Sequence, residues 1–401
     1  MSKGGFSAAR LGRIHDVMAG YVERGVVPGL VTLVSRRGEA HVEAIGTKAI
    51  DGSEPMRRDT IFRITSMTKP VTAVAAMILV EECRLRLDDP VDRLLPELAD
   101  RRVLKSVDGP LDDTVPANRP ITVRDLLTFR LGFGMLMRPS ESTPIQRAQV
   151  EQELRSIGPP MPPIPHAPDE WMRRLGTLPL MFQPGERWLY NTGAHVLGVL
   201  IARASGQPLE DFFSERIFEP LGMKDTGFSV PAAKFDRFAS CYRAGETGEL
   251  ALQDGVEESQ WSRPPIFPDA AAGLVSTVGD YLAFGQMLLN QGSLGDERVL
   301  SRLSVEAMTT DQMRPGQAVG AEFLPGEGAG WGFGVSIVNR RDSLYTVPGS
   351  YGWNGGFGTC WSNDPEEGMV TILMTQRLWD SPSPPEILRD FLTSAYQAIG
   401  D

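Results

Sequence analysis

The sequence predicts an α/β fold of the α+β kind: an antiparallel sheet formed from both termini and flanked by helices, with a mainly helical domain inserted between the two halves. Three observations predict it. Two strand-like runs, Leu30–Ser35 and Ala40–Ile45, lie near the start. Strand signals return only after residue 330. Between them, from about Asp88 to Gly227, the pattern is helical and rich in loops. The expected division is residues 1–87 with 270–401 as the sheet domain, and 88–269 as a helical insert carrying a loop-rich lid.

Residues 7–24 place Leu11, Ile14, Met18, Tyr21 and Val22 at helical spacing, and Gly25 follows as a stop. The two early strands are separated by Arg36-Arg37-Gly38-Glu39, which reads as a hairpin turning at Gly38. A helix is expected from about Ser66 to Glu82, with Pro70 in its first turn, where the missing N–H does no harm. Val123–Phe129 and Ala194–Ser205 read as short helices, the second ended by Gly206. The proline-rich stretch 158–168 is either a lid or a long surface loop. Leu274–Asn290 looks helical. Gly334–Asn339, Leu344–Val347, Gly358–Ser362 and Met369–Gln376 read as antiparallel strands, and a last helix covers about 385–398. No internal repeat is visible.

The chain has 401 residues, long enough for a large core. A net charge of −11 with no basic run argues against a nucleic-acid binder. The longest apolar stretches, such as Val71–Val80, are too short to span a bilayer. The first residues lack a signal-peptide core, and three scattered cysteines (Cys83, Cys241, Cys360) fit a reducing compartment, so a cytoplasmic location is expected.

Chemistry concentrates in Ser66-Met67-Thr68-Lys69. A serine that starts a helix, with a lysine one turn later on the same face, is the layout of a self-activated nucleophile. The chain holds six lysines against 34 arginines, and no other lysine has a serine three positions before it. Arginine stays protonated in any protein, whereas a desolvated lysine can lose its proton and act as a base. Other hydrolytic chemistries lack their parts. There is no G-x-S-x-G elbow, no H-E-x-x-H, no Cys/His cluster and no G-x-G-x-x-G. Of the four histidines, His195 stands nearest a second motif, where it either touches substrate or packs and caps.

That second motif, Gly185-Glu186-Arg187-Trp188-Leu189-Tyr190-Asn191-Thr192-Gly193, puts Tyr190 on a polar turn opening a helix. Its hydroxyl either projects into a cleft to protonate a leaving group or is packed and satisfied. An acyl-transfer site also needs oxyanion donors. The Ser66 N–H at a helix start is one candidate, and the glycine-rich run Gly352–Thr359, containing Gly356, is the source of a second.

Together these segments resemble the serine β-lactamase and penicillin-binding-protein superfamily, closest to the class C-like branch that includes family VIII carboxylesterases. The resemblance keeps its order along nearly the whole chain. It runs through Phe62–Lys69, Leu126-Leu127-Thr128, Phe182–Tyr190, Phe218–Met223, Gly273–Thr277, Gln286–Asn290, Trp353-Asn354-Gly355-Gly356 and Met374-Thr375-Gln376. It implies a β-lactamase/transpeptidase-like fold. It also implies that Ser66 is acylated, that Lys69 and Tyr190 move its proton, and that Gly356 supplies the second oxyanion N–H.

Two departures bear on substrate. The family's Tyr-x-Asn box has Thr192 at its third position here. Where β-lactamases carry Lys-Thr-Gly, this chain has Trp353-Asn354-Gly355, resembling the Trp-Gly-Gly of the esterases. An anionic substrate would forgo a charge-assisted hydrogen bond there, worth about 1.5–3 kcal/mol. The expected activity is therefore hydrolysis of uncharged, small-molecule carboxylic esters with short-to-medium acyl chains. A β-lactamase, D-aminopeptidase, amide hydrolase or acyltransferase on the same groups is the alternative, and a silent binding protein on this fold is a further one. Trp353, Asn354, Thr192 and Phe133 are the expected substrate contacts. Met135, Leu136, Met137, Trp171 and Met172 either join them around an apolar acyl pocket or serve ordinary packing. Serine, lysine, tyrosine and water suffice, so no cofactor or metal is implied. Oligomeric state is not encoded in any feature of the sequence.

Overall fold

The structure is a computed structural model that describes residues 3–400 apart from 137, 140, 155–159, 247, 315 and 318–327. Its centre is a seven-stranded antiparallel sheet. Helix α1 (Ala8–Glu23) leads into strands β1 (Gly29–Arg36) and β2 (Glu39–Gly46). The remaining strands come late: β3 (Ala329–Trp331), β4 (Ser336–Val338), β5 (Tyr351–Gly355), β6 (Thr359–Asp364) and β7 (Met369–Thr375). Their spatial order is β3-β4-β5-β6-β7-β1-β2, so the two ends of the chain meet where β7 pairs with β1, Leu30 opposite Thr375. The β1–β2 turn has Arg37 at φ +50° and Gly38 at φ +82°. Two consecutive positive φ values match the twist of the hairpin, which is why a glycine stands there.

Every residue of β1 and β7 is buried. Such strands need cover on both faces. One face is covered by α1 and the last helix, Glu386–Gln397, which share a core of Ile14, Met18, Leu30, Leu373 and Phe391. The other face receives two helices, α2 (Thr68–Glu81) and α4 (Val278–Leu289), and the larger core. Helix α3 (Thr192–Ser205) packs against α2 from the middle of the chain. The middle region adds further short helices and two small ladders, 102–104 with 114–116 and 241–244 with 250–254. Among the described residues no helix is long and apolar enough to cross a membrane.

The expected architecture is present, with local corrections. Helix α2 starts at Thr68, because Thr65–Met67 forms a tighter single turn ahead of it. The helix at Val123 ends at Leu127, and Phe129 adopts φ +55° beyond it. Helix α4 starts four residues later than Leu274: Val275-Ser276 pairs with Phe62-Arg63, and the Thr277 hydroxyl caps Asp280 N. Leu344–Val347 is not a strand. The Thr346 hydroxyl satisfies the amides of Asp342 and Ser343, and Pro348 follows without a donor. A strand lies instead at Tyr351–Gly355, overlapping the start of the glycine-rich run Gly352–Thr359. Of the proline-rich stretch, Gly158 and Pro159 lie outside the described residues; Pro160–Ala167 has no regular structure and a helix begins at Pro168.

Candidate active site

Ser66 occupies the tight turn ahead of α2, and Lys69 lies one turn on. Their three-residue spacing puts both on one face, with Lys69 Nζ 2.9 Å from Ser66 Oγ. Thr65, a β-branched residue, is held at φ +40°. Such a backbone persists only where its surroundings over-determine it. Here they do. Ile64 N donates to Leu274 O at 3.1 Å, Leu274 N donates to Thr68 Oγ1 at 3.1 Å, and the Tyr281 hydroxyl donates to Met67 O at 2.7 Å. The Gly273–Thr277 segment and α4 therefore clamp the Ser66 turn. One residue upstream of Ile64, the buried Arg63 guanidinium pairs with Asp254 and lies over the Phe238 ring.

Strand β5 passes over the same turn. A Cβ on Gly355 would stand 2.2 Å from Ile64 O and 2.3 Å from Thr359 Oγ1. Close approach is thus what Gly355 serves, but the approaching group is the chain's own backbone rather than substrate. Gly356 differs, since a Cβ there would meet nothing within 4 Å, and it lines the pocket. Gly355→Ala is expected to push β5 off the turn and slow labelling of Ser66 by a fluorophosphonate by roughly 10²-fold, the scale of a misplacement of about 1 Å. An unchanged labelling rate in a folded variant contradicts that positioning role.

Lys69 is 1% exposed, and burial lowers its pKa to about 7 despite the opposing pull of Asp269. The amine donates to Ala271 O at 2.7 Å and sits 4.4 Å from the centre of the Tyr190 ring. Asp269 is partly buried. Its Oδ1 accepts from Ala271 N at 2.7 Å and Ala272 N at 3.0 Å, and it lies 3.1 Å from His195 Nε2. Burial pushes the Asp269 pKa up, but His195, Ala271 and Lys69 more than offset that and hold it below the usual carboxylate value. His195 itself is 1% exposed, against the rings of Trp171 and Phe267. It packs and supports Asp269, and does not line the pocket.

Tyr190 stands on the other side of Ser66. Asn191, at φ +83° and ψ −60°, makes a three-residue turn in which Thr192 N reaches Tyr190 O at 3.2 Å. This unusual turn presents the Tyr190 side chain at the start of α3. Its hydroxyl is hydrogen-bonded to Ser66 and accepts from Trp353 Nε1 at 2.8 Å. Burial raises the Tyr190 pKa strongly, with Ser66 and Trp353 pulling against it, so the phenol keeps its proton at neutral pH. An aromatic box fixes the ring: Trp188 stacks on it at 5.5 Å, Phe129 meets its edge at 5.8 Å, and Trp331 abuts Trp353 at 4.7 Å.

A pocket of about 290 Å³ opens over these groups, lined among others by Ser66, Met135, Tyr190, Trp353, Asn354 and Gly356. Two expected substrate contacts fall elsewhere. Thr192 is fully buried at the first turn of α3, and its neighbour Asn191 lines the pocket instead. The tight turn at Asn191 rotates the next side chain inward. Phe133 is 1% exposed and belongs to the main core, where Trp171, Met172 and part of Leu136 also pack. Met137 lies outside the described residues. Asp269, Ala271, Phe129 and Trp331 escaped the sequence reading. Only the aromatic spacing Trp188-x-Tyr190 hints at the box, and nothing local marks Asp269 as a neighbour of Lys69.

The Beta-lactamase family model matches residues 14–390. Protein Rv1367c of Mycobacterium tuberculosis is 40% identical over 366 residues, which cover 89% of this chain and 88% of that protein. Esterase EstB of Burkholderia gladioli is 32% identical over 400 residues, covering 94% and 92%. Among solved structures, that of EstCE1, described as a hydrolase with promiscuous acyltransferase activity, matches with a TM-score of 0.80 over 97% of this chain and 99% of its own. Its identity to this chain is 24%, so that likeness speaks to the fold alone.

Proposed function

Because this chain belongs to the β-lactamase family, we propose that it is a serine carboxylesterase cleaving uncharged esters with short-to-medium acyl chains. One observation carries the choice of substrate. Among the described residues, no lysine, arginine or histidine lines the pocket over Ser66, and the one charged lining residue is Asp380. A substrate carboxylate would find no cationic partner among those lining residues, since Asp380 is itself paired with Arg377, whereas a neutral ester forgoes no ion pair. The tryptophan on β5 occupies the place of a cation and gives its N–H to Tyr190 instead. The likeness to an esterase 32% identical over most of both chains supports the same reading.

In the proposed reaction the neutral Lys69 amine takes the Ser66 proton while Oγ attacks the ester carbonyl. The amine suits this role because one of its hydrogens is committed to Ala271 O and Oγ lies within reach of its lone pair. Tyr190, whose proton is held tightly, serves as the acid. It donates to the departing alkoxide and recovers a proton from the neighbouring Lys69 ammonium, whose nitrogen lies 4.4 Å from the centre of its ring, so charge and proton count balance. The N–H groups of Ser66 and Gly356 face the oxyanion as it forms. Water then attacks the acyl-enzyme by the reverse proton path and frees the carboxylic acid and Ser66. An alcohol in place of water gives acyl transfer, an outcome named in the description of EstCE1.

The test is turnover of p-nitrophenyl butyrate by the wild-type protein and by Ser66→Ala, with a fluorophosphonate probe to mark the acylated residue. Rapid turnover that disappears in Ser66→Ala is expected. Nitrocefin turnover exceeding ester turnover, or equal ester turnover by both proteins, overturns the assignment.

A further inference from the structure

The pocket over Ser66 has mostly apolar walls, among them Met135, Pro160, Trp353, Phe357, Leu378 and Trp379. Two asparagines interrupt them, Asn191 and Asn354. Asn191 is 7% exposed, yet its carboxamide has no hydrogen-bond partner among the described residues and does not cap the helix it precedes. The orphaned hydroxyl of the next residue, Thr192, is sealed from solvent, whereas the Asn191 amide atoms are not. For a side chain set so deeply, the open space within reach is the pocket it lines. Asn354 meets the same pocket from β5, where its backbone pairs with Cys360, and its carboxamide likewise has no partner among the described residues.

The backbone does not account for the side chain at 191. Its φ of +83° is a conformation that glycine holds at less cost, and glycine would bring no carboxamide to the pocket. Ligand chemistry does account for it. Polar groups that face an open pocket bond to water, and a substrate arm that displaces the water must replace those bonds. An alkyl arm leaves a donor and an acceptor unmet between apolar walls. A site of this kind favours the ligand that pairs its polar groups over the analogue that lacks them.

A carboxamide offers one acceptor oxygen and a donor NH₂. A hydroxyl answers both, since its hydrogen turns toward an oxygen while its lone pairs accept, and it needs the room of a single heavy atom in a pocket of about 290 Å³. A carboxylate can only accept. We propose that Asn191 and Asn354 select an ester that carries a free hydroxyl on the arm lying in this pocket, either an ester of a hydroxy acid or the monoester of a diol. The proposal rests on the esterase reading and adds the polar group by which the substrate is chosen.

Two pairs of esters distinguish the arms, each setting a hydroxyl against a methyl group of similar size. For the acyl side, ethyl 3-hydroxybutyrate is compared with ethyl 3-methylbutyrate; for the alcohol side, 4-hydroxybutyl acetate with pentyl acetate. In one pair the hydroxyl ester is expected to exceed its partner in kcat/KM by about tenfold or more. Asn191→Gly, which suits the positive φ, and Asn354→Leu, which keeps the volume, are each expected to cut that ratio several-fold. Because the ratio compares two esters in one protein, a general loss of activity through Tyr190 cancels from it. As a readout independent of turnover, calorimetry on Ser66→Ala should show tighter binding of the hydroxyl ester than of its methyl counterpart, a difference that shrinks in Ser66→Ala/Asn191→Gly. No hydroxyl preference in either pair overturns the proposal, as does a preference in rate and in binding that survives both substitutions. If no ester of the set is hydrolysed, the esterase reading fails, and the calorimetric arm still decides whether the pocket selects a hydroxyl.

Discussion

Lys69→Met is expected to reduce kcat/KM for p-nitrophenyl butyrate by about 10²–10⁴-fold while the protein stays folded, the usual scale for losing a general base. Methionine keeps the length and apolar stem of a side chain that is already 1% exposed, so the core is not emptied. The wild-type pH profile follows from the same group. Burial places the Lys69 pKa at about 7. Below that pH the ammonium holds its proton and cannot accept one from Ser66. Activity should therefore fall with unit slope as pH drops beneath about 7, and level off above it. Asp269 pulls the other way, favouring the ammonium. Asp269→Asn, which still presents an oxygen to the amides of Ala271 and Ala272, is expected to move the midpoint to lower pH. Measuring kcat/KM from acid to alkaline pH, with thermal melts as the fold control, checks both. A flat profile through neutrality, or a Lys69→Met variant within a few-fold of wild type, removes Lys69 as the base.

Tyr190→Phe is the second large effect, again about 10²–10⁴-fold in kcat/KM, because the proton donor to the leaving group is lost. Trp353 provides the finer test. Its indole N–H holds the Tyr190 oxygen at 2.8 Å, so Trp353→Phe keeps the aromatic bulk and deletes one hydrogen bond. A neutral bond of that kind is worth about 0.5–1.5 kcal/mol, or a few-fold to roughly tenfold in rate. The loss should appear in kcat rather than KM, since Trp353 acts through Tyr190. Trp353→Ala also enlarges the pocket and is expected to shift acyl-chain preference toward longer chains. A Trp353→Phe variant that changes KM alone makes Trp353 a substrate contact without a positioning role. Aryl esters with good leaving groups should be less sensitive to Tyr190→Phe than alkyl esters, because they need less protonation on departure.

The central strands were legible because β1 and β7 are mostly apolar and rich in β-branched residues, the pattern of strands buried on both faces. Strand β5 was not, because Tyr351-Gly352-Trp353-Asn354-Gly355 contains two glycines and reads locally as a turn. Its glycines answer to contacts made across the fold. Gly352 faces the Trp361 carbonyl of β6, and Gly355 faces Ile64 close to Ser66. Thr192 misled for the reverse reason. Its neighbour Tyr190 does reach Ser66, but the backbone turn at Asn191 decides which of the following side chains sees solvent.

The amino-acid sequence by itself determined that Ser66 and Lys69 would meet, because three residues of helical backbone bring their side chains together whatever else surrounds them. It also determined the sheet's two halves through their apolar runs. Only the tertiary structure decided that the lysine would be near neutral. Its dry environment comes from Ala271 and the Tyr190 ring, and its residual field from Asp269, all more than a hundred residues away. The same holds for the Trp353–Tyr190 bond and for the shape of the pocket over Ser66. Spacing along a helix is a property of a few bonds, whereas desolvation and cavity shape are sums over atoms that distant segments deliver.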